Sequence, residues 1–234
     1  MSRQARRRHF HEELDTLQAR LMEMAGLVER LIGQASESVL RRDASMVGRL
    51  IADDDRVDEL EIEIDERVME LLALQQPMAV DLRQIVATNK ASNDLELMGD
   101  HAVNIAKAAR RLADAPAIPE VRELSEMVAV ATDMVSRSLA AYVSRDPEAA
   151  RRVCETDDRV DDLRGSMYRI LVTHMLEDPR RLSAALELLL VSQNLERIAD
   201  LATNIAEDVV FLVEGRNIKH GTGASPRRGG DAGS

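Results

Sequence analysis

DLELMGDHAVNIAK, residues 94–107, has a second copy in this chain, NLERIADLATNIAE at residues 194–207. The copies agree at Leu95/Leu195, Glu96/Glu196, Asp100/Asp200, Ala102/Ala202, Asn104/Asn204, Ile105/Ile205 and Ala106/Ala206. In each copy an acid, an acid and an amide stand four residues apart, a spacing that stacks them on one face of a helix. Outward from this pair the duplication covers nearly the whole chain. DDRVDEL at 54–60 returns as DDRVDDL at 157–163, Arg42-Asp43 as Arg145-Asp146, and Leu21 and Met24 as Leu124 and Met127, all offset by 103 residues. The offset falls to 100 at the opening motif, so three residues are lost between the second and third elements of the second half. A repeat of about 100 residues is far longer than a solenoid unit and reads as domain duplication.

The punctuation divides each copy into three helices. Leu14, Leu17, Leu21, Met24, Leu27, Val28 and Leu31 recur at three- and four-residue spacing, which predicts a helix from about Phe10 to Arg42. Asp43 is the expected N-cap of a second helix ending near Leu74, and Pro77 ends that helix or opens a third over 78–113. The second copy is expected to repeat this: a helix over about 119–144, one opened by Asp146-Pro147, and one opened by Asp178-Pro179 and ending near Glu214. Long helices with short connections lie antiparallel. The fold class expected is therefore all-α, two tandem three-helix bundles with six long antiparallel helices. The first bundle spans 1–114 and the second 115–215. A tail over 216–234, with GTGASPRRGGDAGS at its end, is too poor in apolar residues to fold and is expected to be disordered.

The composition agrees with helices. Among 234 residues there is no Trp and there are only two Tyr and two Phe, whereas strands favour aromatic and β-branched residues. A net charge of −11 argues against binding nucleic acid through its phosphates. One cysteine, Cys154, can form no internal disulfide and fits a reducing cytoplasm, where it reads as a small core residue. No run of 18 uncharged apolar residues is present, so no transmembrane segment is expected.

Two lines run along the third helix. Ala91, Leu95, Met98, Ala102, Ile105 and Ala109 make a seam towards the other helices, and Asn89, Asn93, Glu96, Asp100, Asn104 and Lys107 make a polar line on another side. The sixth helix repeats both, with Val191, Leu195, Ile198, Ala202, Ile205 and Val209 as the seam. The second helix adds Asp54, Asp58, Glu61 and Asp65; the fifth keeps Asp157 and Asp161 but has Arg164 and Tyr168 in the two remaining places. Charged stripes are ordinarily just solvated, but a solvated face mixes signs, because like charges at i, i+4 repel. Here acid follows acid along the line. A bound cation would relieve that repulsion, and oxygen-only donors suit Mg²⁺, Ca²⁺, Mn²⁺ or iron. His101 lies to one side of the stripe, either as a further ligand or as a packing residue.

These residues resemble the PhoU family, the accessory and regulatory proteins of the phosphate-specific transport system. The resemblance is carried by FHEELDTLQARL from residue 10, ADDDRVDELE from 52, QQPMAVDLR at 75–83, the two opening motifs, THMLEDPRRL at 173–182 and VEGRNIKH at 213–220. It implies two three-helix bundles whose E(D)xxxD motifs hold metal: Asp54, Asp58, Glu96 and Asp100 in the first, Asp157, Asp161, Glu196 and Asp200 in the second. The metal it implies is iron or zinc, which with the oxygen-donor reading makes the candidates iron, zinc, manganese or magnesium. It further implies a cytoplasmic homodimer that negatively regulates the phosphate-starvation response. The implied partners are the phosphate ABC transporter and a sensor histidine kinase, with peripheral membrane association through them. One departure is visible: where the family has ERIGD, this chain has Leu97 and Met98 in place of Arg and Ile.

The rival reading is a di-metal carboxylate enzyme built in a helical bundle. That pattern normally includes Glu-x-x-His on two helices, and no Glu in this chain has a His three residues later. Nor is there a phosphate-cradling glycine loop, a zinc spacing or a nucleophile motif. The expectation is a non-enzymatic adaptor.

Overall fold

In the computed structural model, which describes residues 3–75, 77–216 and 218, the six expected helices are present, the fifth in two pieces. They are α1 (Arg3–Arg41), α2 (Val47–Gln75), α3 (Ala79–Ala113), α4 (Arg122–Ser144), α5 (Pro147–Cys154), α6 (Asp157–Glu177) and α7 (Leu182–Glu214), with a 3₁₀ turn at Pro179–Arg181 before α7. No strand occurs among the described residues. Residues 219–234, most of the expected disordered tail, lie outside the description.

Cross-helix contacts give the arrangement. Lys90 pairs with Asp208, His101 with Asn194 and Arg111 with Glu187. Numbers rise along α3 as they fall along α7, so the two motif-bearing helices lie antiparallel against each other. α1 and α2 pack on α3, while α4, α5 and α6 pack on α7. The expected seams are core: Leu95, Met98, Ile105, Leu195, Ile198 and Ile205 are all fully buried, in one continuous cluster drawn from both halves. Burying each such side chain contributes about 1.5–3 kcal/mol.

The junction also holds a charge. The Asp208 carboxylate is 5% exposed and accepts from Lys90 Nζ at 2.9 Å, while the lysine itself is 45% exposed. The ammonium sits 5.6 Å from the centre of the Phe211 ring.

The two copies differ where local chemistry differs. Asp43 does not cap α2. Its Oδ1 accepts from Ser45 N at 2.9 Å in a turn, and the helix starts only at Val47. Asp146, its counterpart, caps α5 directly, accepting from the N–H groups of Glu148 and Ala149 at 2.9 and 3.0 Å. Pro147 sets the helical φ at the first position there; Ala44 imposes no such restraint. Replacing Asp146 with alanine is expected to cost about 1 kcal/mol, read as a lower urea midpoint at unchanged slope.

The break between α5 and α6 falls at Glu155–Thr156, where the first half has Ala52-Asp53 inside an unbroken helix. Thr156 Oγ1 bonds back to the Arg152 carbonyl at 2.9 Å, a contact that bends helices. Asp157 and Asp158 then supply the acidic first turn of a new one.

One backbone feature is duplicated with fidelity. Arg42 and Arg145, 103 residues apart, both take the left-handed conformation, with φ of 52° and 53°. Each closes the helix before it, through Asp43 N to Ser38 O at 2.9 Å and Asp146 N to Ala141 O at 3.1 Å. Each also sends its guanidinium to α3 or its end. Arg42 donates to the carbonyls of Leu112 and Ala115, and Arg145 donates to Gln84 Oε1 at 2.7 Å.

Candidate functional site

α2 carries charge on two flanks, and they are organised differently. On the flank towards α1, signs are mixed. Arg56 donates to Glu59, Glu63 and Glu23 at 2.8–3.2 Å, and Arg20 pairs with Glu23 and Glu63. That is a solvated ionic network of ordinary kind. Arg56 lies between Asp54 and Asp58 in sequence, yet it turns to this flank and reaches neither. On the flank towards α3 stand Asp54, Asp58 and Glu61, facing Glu96 and Asp100, and none of the five is ion-paired among the described residues.

The electrostatics confirm that the acids of α2 and α3 share one field. Burial, then the charges of Asp58, Asp100 and Glu96, push the Asp54 carboxyl up to about 6. Burial followed by Asp100 raises Asp58; burial followed by Asp100 and Asp58 raises Glu96; burial followed by Asp65 and Asp58 raises Glu61. Asp54 Oδ1 is buried with no hydrogen-bond partner. A Cβ on Gly99 would lie 2.6 Å from that oxygen, so the glycine is what lets the carboxylate sit against α3. Asp58, Glu61, Asn93, Glu96, Ile62 and Leu97 line an adjoining concavity of about 430 Å³.

The second face is built on α6 and α7. Burial, then Asp200 and Asp161, push the Asp157 carboxyl up to about 6. Asp200 is raised by burial against the opposing pull of Arg197. Here arginines enter the acidic line, Arg164 at the place noted in the sequence and Arg197 from α7 itself. Arg164 Nη1 bonds Glu196 Oε1 at 2.8 Å, and Arg197 Nη1 bonds Asp200 Oδ2 at 3.2 Å. The corresponding positions in the first half are Glu61 and Leu97. A concavity of about 550 Å³ opens beside this face, lined by Asp157, Asp200, Arg197, Thr203, Asn204 and Glu207 among others.

His101 belongs to this second concavity rather than to its own helix's stripe. Its Nδ1 lies 2.9 Å from Asn194 Oδ1, and the ring lines the wall together with Leu97. The antiparallel crossing of α3 and α7 places it there, and nothing in the local sequence shows that crossing. Cys154 is only partly buried; burial and Glu207 push its thiol up to about 11, so at neutral pH it is an unreactive thiol. Among the described residues no three His, Cys, Asp or Glu side chains converge into a ready-made metal-holding group. Chemically, the first face offers five oxygen-donor side chains, one with a desolvated and unpartnered oxygen. The second offers four, two of them already engaged.

Comparison with known proteins follows the same two-copy layout. The chain matches the PhoU domain twice, over residues 21–109 and 124–209. It is 38% identical over 213 residues to the phosphate-specific transport system accessory protein PhoU homolog of Zymomonas mobilis, covering 91% of this chain and 90% of that one. The homolog from Aquifex aeolicus is also 38% identical, over 89% of this chain and 95% of its own length. Among solved structures, PhoU from Pseudomonas aeruginosa superposes with a TM-score of 0.86 at 35% identity, covering 88% of this chain and all of that one. The phosphate transport system regulatory protein PhoU from Streptococcus pneumoniae superposes with a TM-score of 0.80 at 26% identity, covering 89% and 98%.

Proposed function

Since this chain belongs to the PhoU family, we propose that it is a regulatory adaptor of phosphate homeostasis that restrains the phosphate-starvation response and modulates uptake by a phosphate ABC transporter. It acts in the cytoplasm as a homodimer, between the transporter and the sensor histidine kinase of the response, and catalyses no reaction. The observation that carries this reading is the match along both copies to relatives whose names are accessory and regulatory proteins of phosphate transport. No helix among the described residues is long and apolar enough to cross a membrane, which agrees with association through membrane-bound partners.

The carboxylate faces are proposed as cation sites, with Asp54, Asp58, Glu96 and Asp100 on one and Asp157, Asp161, Glu196 and Asp200 on the other. Two features support the first. Its donors are all oxygen, which suits magnesium, manganese or iron, and admits zinc. Its Asp54 Oδ1 is a desolvated acceptor without a partner, an arrangement a cation would satisfy. The cation would neutralise the face and fix the angle between α2 and α3, so that a partner meets one defined surface.

Deletion of the gene in the source organism is expected to derepress phosphate-starvation genes at high phosphate. Wild-type complementation should restore repression, and Glu96→Ala/Asp100→Ala should restore it only in part. Starvation genes that stay repressed in the deletion strain would rule the regulatory reading out.

A further inference from the structure

We propose that the pocket where the two copies join, walled by Val39, Arg42, Leu112, Leu124, Ala184 and Leu188, binds a small uncharged aromatic molecule bearing an amide oxygen.

The duplication shows what the chain puts in such a space when it fills it. Offsets of 103 and 100 residues match Val39, Arg42, Ala184 and Leu188 with Tyr142, Arg145, Gln84 and Thr88. At that other end of the α3–α7 crossing the side chains close the space themselves. Tyr142 is 4% exposed, and its phenol oxygen lies 2.6 Å from Thr88 Oγ1. Gln84 is buried beside it, and its Oε1 accepts from Arg145 Nη2 at 2.7 Å. At the first end valine stands in place of the ring, alanine in place of the amide and leucine in place of the hydroxyl. A pocket of about 300 Å³ is found there, with Ile118 and Val121 of the connection between the copies completing its wall.

That size and lining, mostly apolar with a few polar groups, are those of a small-molecule site. The aromatic ring and the amide are what this end lacks, and a ligand carrying both supplies them. Arg42 is already held for the amide oxygen. Its Nη2 donates to the carbonyls of Leu112 and Ala115, and a guanidinium has donors on two further nitrogens. With Leu188 in place of Thr88, the ring needs no hydroxyl.

The surroundings favour an occupant without net charge. α1 and α3 end at the pocket while α4 and α7 begin there, so their dipoles oppose one another. Arg42 and the exposed Glu120, both on the lining, are of opposite sign.

The test is titration of full-length protein, labelled at its Ile, Leu and Val methyl groups, with benzamide, followed by NMR. The methyls of Val39, Ile118 and Leu188 should shift saturably, with Kd at or below about 1 mM. Val39→Tyr/Ala184→Gln, which gives the pocket the side chains of its counterpart, should weaken binding at least about tenfold because the space is then occupied. Far-UV circular dichroism checks folding, and if the double variant does not fold, Ala184→Gln alone carries the same expectation. Shifts absent from these methyls would overturn the proposal, as would a folded variant that binds benzamide as wild type does. Toluene or benzoate binding more tightly than benzamide would also overturn it, by showing that the amide plays no part or that the occupant is an acid.

Discussion

Chelator-treated protein should become less stable as pH rises from about 4.5 to 7, and Asp54→Asn/Asp157→Asn should reduce that slope, leaving the part due to Asp58, Glu61, Glu96 and Asp200, which are raised in the same sense. Both carboxyls have an ordinary value of 3.8 and are raised to about 6 in the fold. Between those values the folded chain binds more protons than the unfolded one, so unfolding becomes easier with increasing pH. The stabilisation is complete below 3.8 and gone above about 6. Both side chains are partly exposed, and water screens them, which reduces the contribution to about 1 kcal/mol each. For a chain of this size that is a fall in Tm of roughly 4–8 °C for the two together. Glu23, Asp43 and Asp178 have lowered carboxyls and work in the opposite sense. Their stabilisation is present above the ordinary carboxylate value and is lost as pH falls through their lower folded values, so a scan begun at 4.5 avoids them. Calorimetry in EDTA across this range checks the expectation. A Tm that rises or stays flat from 4.5 to 7 would show that the acids relax apart at no cost.

Lys90→Leu should destabilise the protein by about 2 kcal/mol, while Lys90→Leu/Asp208→Ala should cost much less. Removing the lysine strands a carboxylate that is 5% exposed, and an unpartnered buried charge ordinarily costs about 3–5 kcal/mol. Access of water on the exposed lysine side reduces that. The double replacement is not arbitrary. Under the 100-residue offset, Lys90 and Asp208 correspond to Leu190 and Ala108, so the other end of the α3–α7 crossing already carries the apolar version. Urea unfolding of both singles and the double gives the coupling between the two side chains. A coupling near zero would mean that the pair is solvated and that the crossing is held by Leu95, Leu195 and their neighbours alone.

The repeat made the helices and their seams legible, because apolar spacing and the duplicated motif both survive in the linear sequence. Leu95, Ile105, Leu195 and Ile205 were placed in the core by that spacing, and there they lie. The break at Glu155–Thr156 was not legible, since nothing in the repeat pattern shows that the Thr156 hydroxyl bonds backwards to Arg152 where Asp53 has a carboxylate. The start of α2 was missed for a similar reason. Asp43 and Asp146 look alike, and the proline after only one of them decides which becomes a cap. The partition of arginines was hidden most deeply. Arg56 and Arg197 both stand between paired acids in sequence, yet one turns away towards α1 and the other bonds Asp200. Side-chain reach across helices, not periodicity, separates them. His101 is the same kind of case, assigned to the far face by the α3–α7 crossing.

Leu97 lines the concavities of both faces, so a single side chain is the wall between them. Charges on the two sides of a shared ridge act on each other through it, and salt screens that action over about 8 Å at physiological strength. A cation held in one basin would lower the potential that attracts a cation to the other, and the penalty would be reciprocal. Raising the salt concentration should therefore make the two basins behave more nearly as strangers, and lowering it should bind their behaviour together.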